Sequence, residues 1–327
     1  MAALDSEETG LRERAATTAL PETERDRERR RIAVLSLPFL ALATFGAFVP
    51  LVEMVRVSTS TSSFAVEGFT LSAYRELFAS ILAYLPVVGD AVVPGTDPVY
   101  GAVIWNSLWF GAATTVVSVA VGVGIAHALE KYDLPFEGAV VTLVSFPISL
   151  PGIVAAFMMI VLFGTTGVLS NAVAVLAGTS PDAVALTGQP SGSTKAILGL
   201  FFGYLYSMIP RATFLLRGTY AEVNEDAEAA ARSLGASPWE TFRYVTLPQI
   251  RPGVVGAVIL TFRTALAIFG TVLVLKALSV ITFRFDQEIQ VGFDLPMASA
   301  LATVFFAFTL LFTFAGLRFT DAEVAEA

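Results

Sequence analysis

The sequence predicts an all-α membrane protein: six transmembrane helices, with a cytoplasmic helix–turn–helix loop between the fourth and fifth. Three observations predict it. Of 327 residues, 55% are apolar and 15% charged, with a mean hydropathy of +0.71, whereas soluble domains run at about 45–50% and about 25%. Six separate apolar runs are each long enough to cross about 30 Å of hydrocarbon at about 1.5 Å per residue. The polar stretch 217–253 carries its own helix start and stop signals.

Composition also excludes several classes of chemistry. With no cysteine there are no disulfides, thiolate metal sites or cysteine nucleophile. The single histidine, His127, cannot form a histidine cluster. A formal net charge of −8 argues against a nucleic-acid partner. No cofactor is expected.

In chain order, residues 1–31 are polar with alternating charge, and read as a disordered tail or a loose surface helix. No apolar region with a cleavage site follows a short basic segment, so the tail is not read as a signal peptide. Arg29, Arg30 and Arg31 lead directly into the first span, about Ile32–Val55. The others are expected at about Ile104–Leu129, Ala139–Phe163, Ala196–Leu216, Val254–Leu275 and Leu295–Leu317. The fourth and fifth are weakened by Arg211 and Arg263. A transmembrane domain thus covers 32–320, and 321–327 forms a short tail.

Placing the N-terminus in the cytoplasm puts 14 of the 20 Lys and Arg residues on the inner side. That asymmetry favours a multi-pass cell-membrane protein with both termini cytoplasmic. The outer loops are then about 56–103, 164–195 and 276–294, and the first contains an apolar piece, 69–85, that reads as a surface helix. Asp90, Asp97, Asp182, Asp286, Glu288 and Asp294 make the outer faces acidic; they are either a solvated face or a docking surface.

The inner loop 217–253 resolves into two helices and a turn. Asn224 is a good N-cap, with Glu225 and Asp226 in the first turn, where the helix dipole favours anions. The run 227–232 has high helix propensity, and Gly235 suits a left-handed C-terminal stop. Ser237, Pro238 and Glu240 form a capping box with proline at the first helical position. Pro248 and Pro252 are expected to close this second helix. Leu234, Trp239 and Phe242 give an apolar knuckle. Such an elbow suits either docking of another protein or packing on its own bundle.

The elbow resembles the EAA loop of ABC importer permeases, EAA-x₃-G-x₉-I-x-L-P. Gly235 takes the glycine, Val245 the isoleucine, Leu247 and Pro248 the L-P, and Ala230 and Ala231 the two alanines. The glutamate position falls on Ala229, with Glu228 one residue early, about 100° around the helix. Asn106-Ser107-Leu108, FPISLPGIV (146–154), Met208-Ile209-Pro210 and FGTVLVL (269–275) extend the resemblance over roughly 32–320, toward the polyamine, ferric iron, thiamine and oxyanion branch. Ile268 stands where oxyanion members often carry an acid, which counts somewhat against molybdate or sulfate within that branch.

The resemblance implies a non-catalytic subunit that pairs with a second permease, same or homologous, around one path. It implies a solute-binding protein outside and two copies of an ATPase subunit gripping the EAA loops. The ATPase-coupling residues would be Glu228, Ala229, Ala230, Ala231, Arg232, Gly235, Ser237, Leu247 and Pro248. Consistently, no G-x₄-G-K-[ST] phosphate loop occurs; GQPSGSTK (188–195) has the wrong spacing.

Within the spans, Arg263 either lines the path and meets an anionic group, or pairs with carbonyls and snorkels. Pro147 and Pro151 either shape a gate or make fixed bends. Gly199 and Gly203 form a GxxxG, usable within one subunit or between two. A stand-alone secondary transporter or channel is the competing reading; it calls for internal repeats and acids at mid-membrane.

Overall fold

The computed structural model describes residues 24–63, 67–85 and 92–326. Most of the 1–31 tail, and Asp90, lie outside the described residues. The chain divides into two units, 1–56 and 57–327. Within the first, α1 (Glu24–Ala43) passes through a π turn (Thr44–Phe48) into α2 (Val49–Ser58). Most of its large apolar side chains from Ile32 to Val55 are exposed, as expected of a helix whose solvent is lipid.

The second unit begins with α3 (Ser72–Ala83), the surface helix expected from 69–85. Then come α4 (Val99–Lys131), α5 (Glu137–Ser145), a 3₁₀ turn (Phe146–Ser149), α6 (Gly152–Phe163) and α7 (Val168–Ala177). After the short α8 (Pro181–Val184), α9 covers Thr194–Tyr220. The elbow is α10 (Glu225–Ser233) and α11 (Pro238–Thr241), which runs through a π turn (Phe242–Thr246) into α12 (Leu247–Ala267). The chain closes with α13 (Gly270–Leu275), α14 (Ile281–Gln287), a π turn (Glu288–Gly292) and α15 (Leu295–Glu326). No strand occurs among the described residues.

Among the described residues, five helical segments are long and apolar enough to cross a bilayer: Arg31–Ser58, Val99–Lys131, Gly152–Ala177, Pro238–Ala267 and Leu295–Gly316. Of the six expected, the fourth is the one missing from this set. Helix α9 has the length, 27 residues, but Lys195, Arg211 and Arg217 dilute its apolarity.

Two other expectations are corrected. The third run is not one helix over 139–163, because Leu150 and Pro151 are extended. The residue before a proline is pushed out of the helical region, so the chain breaks there and a new apolar segment runs on to Ala177. Nor do Pro248 and Pro252 close the second elbow helix; both lie inside α12. The π turn makes this possible. Leu247 N–H donates to Phe242 O, five residues back, and Pro248 then falls at the start of the α-helical register, where a missing N–H is tolerated.

The core explains why α9 belongs to the bundle. Phe110 of α4 packs with Leu200, Tyr204 and Met208 of α9, while Val119 and Ala126 pack with Ala212, Leu216 and Tyr220. Residue numbers rise together, so α9 lies alongside α4 through both layers. The lower layer includes Ile250 and Ala257 of α12 and reaches Val223 at the elbow. Gly199 and Gly203 face Leu186 and Thr271 of their own chain, which settles the GxxxG as internal packing.

Candidate functional site at the elbow

The elbow is held by local chemistry at each joint. The Asn224 side chain accepts from Ala227 N–H at 3.2 Å and caps α10, while its own N–H donates to Gln249 Oε1 at 2.8 Å, tying the start of α10 to α12. The helix stops at Gly235, φ +93°, where Ala236 N–H donates to Ala231 O and Gly235 N–H to Arg232 O. This is the Schellman closure. Ser237 and Glu240 then exchange hydrogen bonds across the first turn of α11, with Ser237 N–H donating to Glu240 Oε2 at 2.8 Å.

The elbow has two unlike faces. Outward stand Leu234, 90% exposed, Trp239, 68%, and Tyr244, 73%. Ala229, Ala230, Arg232, Gly235, Ser237 and Pro248 are exposed too. Phe242 does not join this face; its ring lies 4.8 Å from that of His127. Ala231 and Leu247 are half-buried.

Inward stands Glu228, which is 5% exposed. Lys131 Nζ lies 2.9 Å from its Oε2, and Thr246 Oγ1 donates to its Oε1. One carboxylate therefore joins three elements: the end of α4, α10 and the π turn before α12. Burial pushes the Glu228 carboxyl up, but the Lys131 ammonium and Thr246 hydroxyl outweigh it and hold it below the ordinary glutamate range. Lys131 also reaches Glu225 at 3.6 Å. Beside it, Arg217 pairs with Glu130 at 2.5 Å and lies 3.9 Å from Glu137, joining α9 to α4 and α5. A cavity of about 270 Å³ opens between these elements, lined by His127, Lys131, Glu228, Thr241 and Phe242 among others.

Lys131, Thr246, Arg217, Gln249 and Tyr244 are the members of this region that sequence reasoning missed. Lys131 and Glu228 meet only through the fold, so no local pattern could pair them. Tyr244 lies within the π turn, which carries no sequence signal.

The other singled-out residues lie elsewhere. Arg263 is exposed on α12 and lines two cavities, one with α15 residues and one with Met208, Arg211 and Thr261. Pro147, half-buried, and Pro151, exposed, sit at the break before α6 and line neither of these cavities. Of the acids expected on the outer face, Glu288 is buried; it accepts from Tyr100 Oη at 2.8 Å and pairs with Arg284 at 2.6 Å, so it forms no part of a solvated face. Among the described residues no cluster of His, Asp and Glu fit to hold a metal occurs.

Comparison with known proteins gives a consistent picture. The family model for the inner membrane component of binding-protein-dependent transport systems matches residues 118–322. The molybdate/tungstate transport system permease protein of Thermococcus kodakarensis is 28% identical over 214 residues, 64% of this chain and 76% of that protein. The sulfate transport system permease protein of Escherichia coli is 26% identical over 269 residues, 76% of this chain and 90% of that one. A solved chain of a bacterial ABC transporter that imports alginate superposes with a TM-score of 0.73 at 14% identity, over 90% of this chain and 96% of that chain.

Proposed function

The chain belongs to the family of inner membrane components of binding-protein-dependent transport systems, and from that premise we propose that it is the non-catalytic permease subunit of an ATP-driven importer whose elbow is the handle for a separate ATPase. The observation that carries this is the two-faced elbow. Leu234, Trp239 and Tyr244 are all left exposed around one capped corner, and large apolar side chains exposed as a group, rather than singly, mark a docking surface. The opposite face is fastened through Glu228 to α4, so a displacement applied at Leu234 is passed to a helix 33 residues long. Coupling is then a difference in docking energy between two states of the motor.

In this reading Ala229, Ala230, Arg232, Leu234, Gly235 and Trp239 form the docking surface. Ala231, Ser237, Leu247 and Pro248 shape it, and Glu228 holds it from behind. Helix α9 counts as a sixth crossing because it lies along α4 in both core layers. The ends of α4 and α9 meet at the elbow, which is cytoplasmic by the distribution of Lys and Arg. A second permease subunit and an extracytoplasmic binding protein complete the transporter, and the substrate enters from outside.

The substrate class we favour is the tetrahedral oxyanions. The relatives above carry molybdate, tungstate and sulfate in their names, which outweighs the single residue, Ile268, that argued against them. Polyamine, ferric iron or thiamine would bring positive charge to the groove that holds Arg211 and Arg263.

Substituting Leu234→Asp and Trp239→Ala together, and purifying from mild detergent with the ATPase co-expressed, tests the docking role. The ATPase should be lost while membrane insertion persists. Full retention of the ATPase would refute the elbow as the handle.

A further inference from the structure

We propose that the cavity between α9 and α12 around Arg211, Thr261 and Arg263 is a binding station for a tetrahedral oxyanion within the translocation path. This rests on the importer reading and goes beyond it by assigning residues of this chain to the cargo.

Charge and depth make the first part of the case. Gly253 of α12 packs directly on Thr219 of α9, which fixes how the two helices run past one another. From that contact Arg211 is eight residues along α9 and Arg263 ten along α12, about 12 and about 15 Å at 1.5 Å per residue. The two guanidinium groups therefore stand at similar depth, and both line one cavity of about 190 Å³. No aspartate or glutamate lines it, nor the adjoining cavity where Arg263 faces Phe305, Thr309 and Phe314. Ser207 takes one nitrogen of Arg211 through its carbonyl and hydroxyl. A guanidinium carries five N–H donors, so most of this fork stays available. Two like charges at this depth are costly unless they face water, a partner or an anion.

An independent observation points to a ligand. Thr261 is 3% exposed, lines the same cavity, and its hydroxyl has no hydrogen-bond partner. A buried hydroxyl without a partner is unfavourable by itself; here it leaves an unsatisfied polar group in the wall that also carries the two cationic forks. Guanidinium groups match the oxygen edges of oxyanions in pairs of hydrogen bonds. At about 30 Å³ per water, the cavity holds about six waters' worth of volume, room for four oxygens around a central atom.

The test uses the complete transporter in proteoliposomes, with ATPase and binding protein, and molybdate and sulfate as probes. Arg263→Gln should lower the maximal uptake rate of the transported oxyanion roughly tenfold or more, the scale of one charged hydrogen bond, and Arg263→Lys should recover most of that loss. Thr261→Val, nearly the same shape, should lower it roughly threefold or more and serves as the second arm should the glutamine variant fail to insert. Wild-type uptake rates in Arg263→Gln or Thr261→Val would overturn the station. A wild-type transporter that moves a cation or neutral solute but neither oxyanion would overturn it while leaving the importer reading intact. A wild-type complex without nucleotide-dependent transport of any solute would instead remove the reading beneath it.

Discussion

Replacing Lys131 by methionine isolates the link between elbow and bundle. It keeps the length of the side chain and removes the ammonium 2.9 Å from Glu228. The side chains of Lys131 and Glu228 are 14% and 6% exposed, so solvent screens the pair little. Breaking a buried pair costs about 3–5 kcal/mol, because the remaining charge is stranded. Protonation offers Glu228 an escape, and that sets a ceiling. Neutralising a glutamate of ordinary pKa near 4.3 at pH 7 costs about 1.4 kcal/mol per pH unit, about 4 kcal/mol in all. The expected loss is therefore about 3–4 kcal/mol, expressed as local opening of the elbow rather than unfolding of the bundle. Hydrogen exchange of the amides in 225–250 should accelerate by roughly two orders of magnitude or more, with the core layer at Leu200 and Met208 unaffected. Adding Glu228→Gln should restore most of the protection, since no charge is then stranded. Unchanged exchange in Lys131→Met, or strictly additive effects in the double variant, would refute the reasoning.

The remaining predictions probe neighbouring features. Since the Glu228 carboxyl is held below the ordinary range, its contribution is present above the unfolded-state pKa and lost as pH falls through the folded one. Elbow protection should stay flat from about pH 8 to about pH 5 and fall only below about pH 4, which exchange at several pH values will read. Gly235→Val places a β-branched residue at φ +93° and should destabilise the turn by about 1–2 kcal/mol or more, seen as weaker protection of α10. Ser237→Ala removes the capping box at about 1 kcal/mol, with a matching small loss in the same assay. Gly253→Ala puts a methyl 1.9 Å from Thr219 Cγ2; thermal unfolding in detergent should fall by about 1–3 kcal/mol and recover with Thr219→Gly.

How much of this was legible in the sequence follows the range of the forces involved. Asn224, Gly235, Ser237 and Glu240 act within one helical turn, and their caps read directly from residue order. The apolar runs were equally plain, because lipid exposure demands them over 20 residues at a time. Pro248 misled because a proline normally ends a helix, and nothing local announces the π turn that shifts its register. Leu150-Pro151 carried the break in the third run in plain view, yet apolarity alone argued for continuity. The Lys131–Glu228 pair and the Arg211–Arg263 cavity depend on helices packed far apart in sequence, where only the fold decides.

A cross-link offers the most direct measurement of the central claim, that the elbow is the surface gripped by the motor. The chain has no cysteine, so Leu234→Cys introduces a single thiol at a corner residue left 90% exposed. With the ATPase bound, a short bifunctional reagent should join this thiol to the ATPase, with a yield that changes when ATP is added. Gln290→Cys, exposed on the segment after α14, should give no such product. Equal aqueous labelling of Leu234→Cys with and without the ATPase, and no cross-link to it, would contradict the account.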